Sequence, residues 1–282
     1  MSSFGLGRTG RNQAYRSDAQ GRCDALWCCR QRLIAFLLLA FGMLIVPAQT
    51  TVAKSDESAP ASSLYRVTTL RAAPGALLDL IALYRRAAAE RMWSRSGDST
   101  PLLMRHSQGD QWDLLVLQAI GSYADHYRKS RIRRRAEAGE AAFLAERDRL
   151  LVFREDLFAY GPDRALVQAR YRDNAFFHIE MFAALPGKHA ELLRQRQMEN
   201  AYLTAIKAPS NLIWVGDQGS DVDVFTIGFY PSIVEFAAPN AVSDAEAEAA
   251  AKAVGFQGRG FIGTYLRELI ASHHDTLAVK VD

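Results

Sequence analysis

His178 and Glu180 are the two residues of this sequence whose types and spacing best suit proton chemistry. They stand two positions apart in the alternating run Phe177-His-Ile-Glu-Met-Phe182, which is typical of a β-strand. Residues i and i+2 of a strand share a face, so both side chains would project from one side, roughly 7 Å apart at the backbone. A carboxylate beside an imidazole raises the pKa of the histidine and can orient it as a base. The pair therefore predicts an acid–base site.

Two other polar clusters have less specific patterns. Residues 273–275, His-His-Asp, offer metal-ligand types, but we expect a charged helix end there, where adjacent side chains point about 100° apart. The stretch 128–135 holds five arginines and one lysine, and glutamates and aspartates follow it at 137, 140, 146 and 148. Such spacing indicates mutual neutralisation along a solvated helix. We predict no metal site and no cofactor.

The charge balance argues against a nucleic-acid partner. The whole chain has a formal net charge of +3, but residues 1–53 carry six arginines and only two aspartates. Without that segment 28 basic and 29 acidic residues remain, so the rest of the chain is close to neutral. A dedicated nucleic-acid binder would have a net basic surface.

Residues 1–53 have the pattern of a signal peptide with a long basic n-region. The apolar run from Leu33 to Val46 is fourteen residues long, short of the roughly 20 that span a bilayer, and small residues follow it. We expect cleavage near Ala48 or Ala53, a secreted or periplasmic protein, and a flexible spacer at 54–63. The alternative is an uncleaved anchor, which would be the protein's one contact with a membrane.

Cleavage would also remove every cysteine. Cys23, Cys28 and Cys29 all precede the apolar run, so the mature chain would hold no disulfide, thiolate metal site or cysteine nucleophile. Gly255-Phe-Gln-Gly-Arg-Gly260 is rich in glycine, but no buried strand precedes it as a phosphate-binding loop requires.

The remainder of the chain contains an internal repeat. Pro74-Gly75 and Pro186-Gly187 each follow a strand-like run and precede a helical one, at an offset of 112 residues. Asp113 and Asp223 each open a later apolar run at an offset of 110, so one two-residue deletion aligns the copies. We predict a first repeat at 64–170 and a second at 171–282.

Each copy has the element order β-α-β-β-α-β, which is the ferredoxin-like order. Alternation and helical spacing predict these elements. In the first copy the strands are 64–70, 102–106, 112–120 and 152–160, with helices at 77–95 and 125–149. In the second copy they are 177–182, 212–216, 222–230 and 276–281, with helices at 188–207, 244–253 and 261–271.

Two such units in tandem resemble the dimeric α/β-barrel superfamily in a fused, pseudo-dimeric form. The Pro-Gly pair after the first strand and the Asp-led third strand are most similar to its NIPSNAP-like branch. The resemblance implies an α+β protein whose two sheets close into one barrel. Members include cofactor-independent monooxygenases, haem-degrading and haem-binding proteins, isomerases and proteins without an assigned activity, so the fold alone does not choose a function.

In that barrel a ligand would lie between the two sheets. We expect Tyr65, Val67, Phe177 and Ile179 to face the helices, so that the alternate residues face the barrel interior. His178 and Glu180 would be catalytic there, and Arg66 would hold an anionic group of the ligand. The expected ligand-binding residues are Arg66, Thr68, Trp112, Gln118, Trp214 and Tyr230. The alternative for Glu180 is an ion pair with Arg66 across the pseudo-twofold axis, or simple hydration.

The leading hypothesis is therefore an oxygenase- or isomerase-like enzyme, or a binding protein, for a small apolar or aromatic ligand. A non-catalytic binding or assembly module is the alternative, and the sequence leaves open whether the chain is an enzyme. Haem is a third option, but Thr68 stands where haem-degrading members carry asparagine, while Trp112 and His126 lie in matching elements. A homodimer is compatible with the fold.

Overall fold

The computed structural model describes residues 62–239 and 241–281. These residues form one compact unit. The predicted signal peptide and nearly all of the predicted spacer lie outside the described residues. Within the described residues, no helix is both long enough and apolar enough to cross a membrane.

The first half of the fold contains four strands and five helices within the described residues. They are β1 (Ser63–Ala72), α1 (Leu77–Ala89), α2 (Met92–Ser96), β2 (Leu102–Gln108), β3 (Leu114–Gly121), α3 (Tyr123–His126), α4 (Lys129–Glu137), α5 (Glu140–Arg149) and β4 (Leu151–Gly161).

A connecting helix, α6 (Arg164–Asp173), leads into the second half, so the predicted repeat boundary at residue 170 falls inside that helix. The second half then follows the same general order. Its elements are β5 (Phe176–Ala184), α7 (His189–Ala205), β6 (Leu212–Gln218), β7 (Val224–Tyr230), α8 (Ile233–Phe236), α9 (Asp244–Ala253), α10 (Phe261–Arg267) and β8 (Ile270–Lys280).

The repeated Asp113 and Asp223 have the same structural role. The Asp113 carboxylate accepts a hydrogen bond of 2.7 Å from the Ala72 amide at the end of β1. The Asp223 carboxylate accepts a bond of the same length from the Ala184 amide at the end of β5. Each aspartate therefore satisfies a backbone donor where a strand leaves the sheet, which explains the residue's place in the repeat.

The eight strands form one closed barrel in the order β1-β3-β2-β8-β5-β7-β6-β4. The first four strands of the chain are thus ordered β4-β1-β3-β2, and the last four β8-β5-β7-β6. Antiparallel pairs β2–β8 and β4–β6 join the two groups and close the barrel. Closure leaves none of these strands with an unpaired edge.

The barrel interior is packed with apolar side chains from all eight strands. The Trp214 indole stacks on Phe225 with ring centroids 4.9 Å apart, and Tyr65 meets Trp214 edge-on at 5.8 Å. Further buried members of this interior cluster are Val67, Met104, Trp112, Leu115, Leu117, Leu157, Phe177, Ile179, Met181, Ile227, Phe229 and Ala278.

The predicted sides of β1 and β5 are therefore wrong. Tyr65, Val67, Phe177 and Ile179 face the barrel interior, and the alternate residues face the helices. Both faces of the sheet are covered in this fold, so alternation alone does not tell which face is which. Phe182, which was expected to face the barrel interior, packs with Leu192 of α7 and so faces the helices.

The start of β8 is the second correction. Helix was predicted for 261–271, but α10 ends at Arg267 and β8 begins at Ile270. His273 and Asp275 consequently lie on a strand, paired with β5, and not at a helix end. The alternating pattern of β8 is masked in the sequence by its polar composition. Pairing with β5 over nine residues makes this segment a strand.

The predicted helix over 125–149 is divided into three. Gly139 has φ of +91°, a left-handed conformation that ends α4 and begins α5. Helices α6 and α8 were not predicted. The predicted helix over 77–95 is also divided, into α1 and α2, at Arg91, whose φ is +57°. The other predicted helices and strands occur within a few residues of their expected bounds.

Gly161→Ala is expected to destabilise the fold by about 2 kcal/mol, as overpacking of a core does. A β-carbon at Gly161 would lie 2.0 Å from Cδ1 and 2.1 Å from Nε1 of the buried Trp214 indole. Urea unfolding followed by circular dichroism measures the change. Gly263→Ala in α10 is the matched control, because its β-carbon would meet no atom within 4 Å. The control should be slightly stabilised, and equal behaviour of the two variants would contradict the packing argument.

Candidate functional site

The residues predicted to line one cavity lie in three different places. His178, Glu180 and Tyr230 are close together on the helix-facing side of the second half. Arg66, Thr68 and Gln118 occupy the corresponding face of the first half. Trp112 and Trp214 are buried in the barrel interior. The first of these groups forms the candidate site.

His178 is oriented by Asp275 of the neighbouring strand. Its Nε2 lies 2.8 Å from Asp275 Oδ1, and the two side chains are 23% and 54% exposed. Burial would lower the pKa of His178. The hydrogen bond to Asp275 and the negative charge of Glu180 outweigh burial, and the pKa of His178 is raised above its ordinary value. The imidazole thus has an oriented ring, an anionic partner and access to solvent.

Glu180 stands directly opposite Asp275 in the β5–β8 register. Two carboxylates in facing positions repel each other unless positive charge or hydrogen bonds compensate. Glu180 Oε2 accepts a hydrogen bond from Thr226 Oγ1 at 3.1 Å and lies 3.5 Å from Arg196 Nη1. Burial would raise the pKa of Glu180, but the neighbouring His273 and Arg196 lower it, so Glu180 remains a buried carboxylate.

His273 completes the group at its buried end. Its Nε2 is 3.6 Å from Glu180 Oε1 and 3.3 Å from Asp275 Oδ2, which are ion-pair distances. The same nitrogen is buried and has no partner with hydrogen-bond geometry within the described part of the chain. The ring stacks on Phe182 with centroids 4.9 Å apart, so its plane is fixed.

Arg196 on α7 supplies the positive charge from the helix side. It is 3% exposed, donates from Nη2 to Glu199 and from Nε to Gln195, and its guanidinium lies 4.7 Å from the centre of the Phe182 ring. Glu199 has a raised pKa, since burial and the charge of Glu180 outweigh Arg196. Side chains of the helices thus provide hydrogen bonds and opposite charge to the polar residues of the sheet, and this allows those residues to be buried.

A glycine lets two polar side chains approach the sheet closely beside His178. Gly228 is its register partner on β7, and a β-carbon there would lie 2.8 Å from Asn211 Oδ1 and 3.2 Å from the Tyr230 hydroxyl. Asn211 Oδ1 is buried and has no hydrogen-bond partner among the residues that the structure describes. Burial, with the charge of Glu180, raises the pKa of Tyr230, so the hydroxyl remains protonated. The sheet next to His178 therefore carries one hydrogen-bond acceptor and one donor, side by side.

Phe236 of α8 supplies the apolar part of this group. Its ring lies 5.3 Å from the His178 ring and 5.2 Å from the Tyr230 ring. The site therefore combines an oriented imidazole, a phenolic donor, an amide acceptor and an aromatic surface. That combination suits proton transfer on a small, partly apolar molecule.

The donor types of the cluster also suit a cation. Ligand atoms of His178, Glu180 and Asp275 all lie within 4.8 Å of one another. Two of these groups are already hydrogen-bonded to each other, and Arg196 lies against the third. The charges that a cation would balance are thus matched by protein groups, and we derive no step through a metal.

The corresponding face of the first half is internally satisfied. Arg66 Nη2 donates to Gln118 Oε1 at 2.9 Å, and Gln118 Nε2 donates to the Ser99 carbonyl at 2.9 Å. Thr68 Oγ1 donates to Asp156 Oδ1 at 2.5 Å. Arg66 does not pair with Glu180, so that alternative is wrong, because the two residues lie in different halves and face different helices.

The basic stretch 128–135 folds against the first half. Arg131 and Arg135 both pair with Asp98, at 3.1 and 2.9 Å, and not mainly with the acidic residues that follow them. Arg135 Nη2 also donates to Nδ1 of the buried His126 at 2.6 Å. His126, Thr68 and Trp112 therefore have separate environments and do not form the haem-associated set considered from the sequence.

Sequence reasoning missed most partners of His178. Asp275 and His273 would have been found had 270–280 been recognised as a strand, since alternate residues share a face. Arg196, Thr226, Asn211 and Gly228 carry no motif. Their association depends on which helix covers the sheet and on the strand register, and neither is encoded locally.

No protein-family model matches the chain, and no curated protein matches it. Among solved structures it is similar to an anthrone oxidase-like protein, at a TM-score of 0.51 and 11% identity over 78% of this chain and 92% of that chain. It is also similar to a haem-binding protein from Thermus thermophilus, with a TM-score of 0.40, 11% identity and coverage of 79% and 94%.

A third similar structure is a mutant chlorite dismutase from Candidatus Nitrospira defluvii, with a TM-score of 0.43, 12% identity and coverage of 78% and 93%. The chain has an α+β fold whose eight antiparallel strands close into one barrel, in keeping with this likeness. At these identities the likeness describes the fold alone.

The buried His126 makes the protein sensitive to acid. Burial and the neighbouring Arg135 lower the pKa of His126 to about 4, whereas an unfolded chain binds the proton near pH 6.5. Stability should therefore fall as the pH drops from about 6.5 towards 4, by about 2 kcal/mol from this group. Urea unfolding across that range measures the loss. His126→Asn, which keeps an acceptor for Arg135, should show a shallower decline, and an unchanged slope would contradict the assignment.

Proposed function

We propose that the protein binds a small apolar or aromatic molecule beside His178 and acts on it by proton transfer, as an oxygenase- or isomerase-like enzyme. The observation that carries this proposal is the His178–Asp275 hydrogen bond of 2.8 Å beside the buried Glu180 carboxylate. The site lies on the helix-facing side of the second half, next to Gly228, where Asn211 and Tyr230 approach the sheet. The chemistry uses protein side chains and requires neither flavin nor metal.

The hydrogen-bond pattern defines the proton acceptor. A neutral His178 that donates from Nε2 to Asp275 carries its lone pair on Nδ1. Nδ1 takes a proton from an acidic C–H or O–H of the ligand, and the electron pair stays on the ligand as an enolate or phenolate. Asp275 and Glu180 stabilise the imidazolium that forms, as their effect on the pKa of His178 indicates.

The anion formed on the ligand needs a donor. The protonated Tyr230 hydroxyl, next to Gly228 and opposite the Phe236 ring, can donate to that oxygen. Return of the proton from His178 to a different carbon completes an isomerisation. In the oxygenase case, the anion gives one electron to molecular oxygen, and the resulting ligand radical and superoxide combine to a peroxide anion on the ligand, which takes the proton held by His178. Both outcomes begin with the same proton transfer, so one test serves both.

The evolutionary part of the proposal is a tandem duplication of a ferredoxin-like unit, related to the NIPSNAP-like branch. The equal strand orders of the two halves and the matching Asp113 and Asp223 hydrogen bonds support it.

Export by the N-terminal signal peptide belongs to the proposal too, supported by the basic and apolar pattern of residues 1–53. Assembly into a homodimer would match the dimeric relatives of the fold.

A non-catalytic binding module is the second candidate. The packed interior favours it, because Trp214 and Phe225 fill the space between the sheets where a ligand was first expected. In that case the cluster around His178 would stabilise the fold without turning over a ligand. Haem binding has less support, because the residues considered for it are separated.

Proton transfer can be tested without knowing the natural ligand. The probe is 2-tetralone, an aromatic ketone with exchangeable C–H protons, and the readout is deuterium incorporation in heavy water followed by NMR. Wild-type protein should accelerate exchange, and the rate should rise with pH as His178 loses its proton, above the usual range for histidine. His178→Ala should slow the catalysed exchange at least ~100-fold, as expected for loss of a general base.

Two variants check the origin of the effect. Asp275→Asn should slow exchange about tenfold, because the ring loses its anionic partner. His274→Ala is the matched control, since His274 is exposed on the opposite face of β8 and should leave the rate unchanged. Exchange by wild type no faster than buffer, or His178→Ala as fast as wild type, would overturn the enzyme proposal and favour the module.

A further inference from the structure

A cavity lies where the two halves of the fold meet. It has a volume of about 480 Å³ and is bordered by α1, α2, the start of β2, α6 and the end of β8. None of the residues of the His178 site lines it. Its size is within the range of small-molecule sites. The cavity is therefore separate from the proposed reaction site and has its own chemistry.

Aromatic rings form much of its wall. Tyr84 and Trp93 are stacked with centroids 6.2 Å apart and planes at 14°. Tyr171 is stacked on Phe177 at 5.5 Å, and its hydroxyl donates to the Leu103 carbonyl at 2.7 Å. These contacts hold the rings in fixed orientations before any ligand binds. An apolar ligand would therefore meet rings that are already ordered, so little side-chain freedom would be lost on binding.

The charged groups of the cavity are all cationic. Arg85, Arg172 and Lys280 line it, and the described lining residues include no aspartate or glutamate. Lys280 Nζ donates to the Arg172 carbonyl at 3.1 Å and lies 5.0 Å from the centre of the Tyr171 ring. Arg172 pairs with Asp173, but both side chains are more than half exposed, and such pairs are weak.

Another cavity of the protein has acidic as well as basic lining residues, unlike the 480 Å³ cavity. It has a volume of about 350 Å³ and is lined by Asp110, Glu155 and Asp221 as well as by Arg71 and His274. That mixed lining has no net preference for an anion. The 480 Å³ cavity therefore differs both in charge and in its aromatic walls.

We propose that the 480 Å³ cavity binds a small aromatic carboxylate, with the ring against Trp93 and Tyr171 and the carboxylate near Lys280 and Arg172. A cation beside a carboxylate forms a charge-assisted hydrogen bond, which is stronger than a neutral one. The ring fills the apolar part of the cavity. Because α1, α6 and β8 all border the cavity, the ligand would also connect the two halves and raise the melting temperature of the protein.

The experiment compares 2-naphthoate with its neutral isostere 2-naphthamide by isothermal titration calorimetry on the signal-free chain. The carboxylate should bind at least tenfold more tightly than the amide. Lys280→Gln should weaken 2-naphthoate about tenfold. Lys129→Gln, which removes one positive charge from the exposed start of α4, is the matched control and should leave the affinity unchanged.

A cavity-filling variant locates the ligand. Ala88 lines the cavity from an exposed position of α1, so Ala88→Trp should occupy the space without disturbing a buried contact. Binding should be lost while circular dichroism remains that of wild type. His178→Ala should bind 2-naphthoate normally, which separates this proposal from the proposed reaction. Equal affinities for acid and amide, or undiminished binding by Ala88→Trp, would overturn it.

Discussion

The fold depends on how two four-stranded sheets close on each other. Each sheet, taken alone, would leave an edge strand unpaired on either side, and such edges are open to association with other chains. Pairing of β2 with β8 and of β4 with β6 removes all four edges at once. The closed sheet then encloses a single interior, to which every strand must contribute side chains of the right volume.

That requirement determines where chemistry can occur. The interior is filled by rings and aliphatic side chains, with Trp214 so close to Gly161 that no β-carbon fits between them. A polar group placed there would lack partners. Polar side chains therefore lie on the outer face of the sheet, where the covering helices provide hydrogen bonds and opposite charge, as Arg196 does for Glu180.

The two halves use the same positions in different ways. Arg66 and Gln118 are register partners in the first half and bond to each other. Their counterparts in the second half are His178 and Gly228, and the glycine lets Asn211 and Tyr230 approach the strand where a larger side chain would meet them. The first half is closed by its own network, whereas the second keeps a partly exposed imidazole paired with Asp275. Under the proposed duplication, divergence between the two copies would account for a site in one half only.

The sequence predicted the order of strands and helices because each copy has strong turn signals and regular apolar spacing. It also predicted that His178, Glu180 and Tyr230 belong to one site, and the structure brings these three side chains to the same face of the sheet. It did not predict which face of β5 they occupy, because both faces of the sheet are buried and both carry apolar residues. Asp275 and His273 were missed for a related reason, since the polar start of β8 resembles a helix end until it is paired with β5.

Strand β8 shows how closure and function are joined. Its side chains alternate, so His273 and Asp275 reach the polar cluster, while Thr276 and Ala278 are buried and Lys280 borders the cavity at the strand's end. The same strand supplies hydrogen bonds to β5 on one side and to β2 on the other. A one-residue slip in register would exchange its faces, moving Asp275 away from His178 and Ala278 out of the interior. The pairing of β8 with β5 thus holds Asp275 within hydrogen-bonding distance of His178, while the pairing of the same strand with β2 closes the barrel.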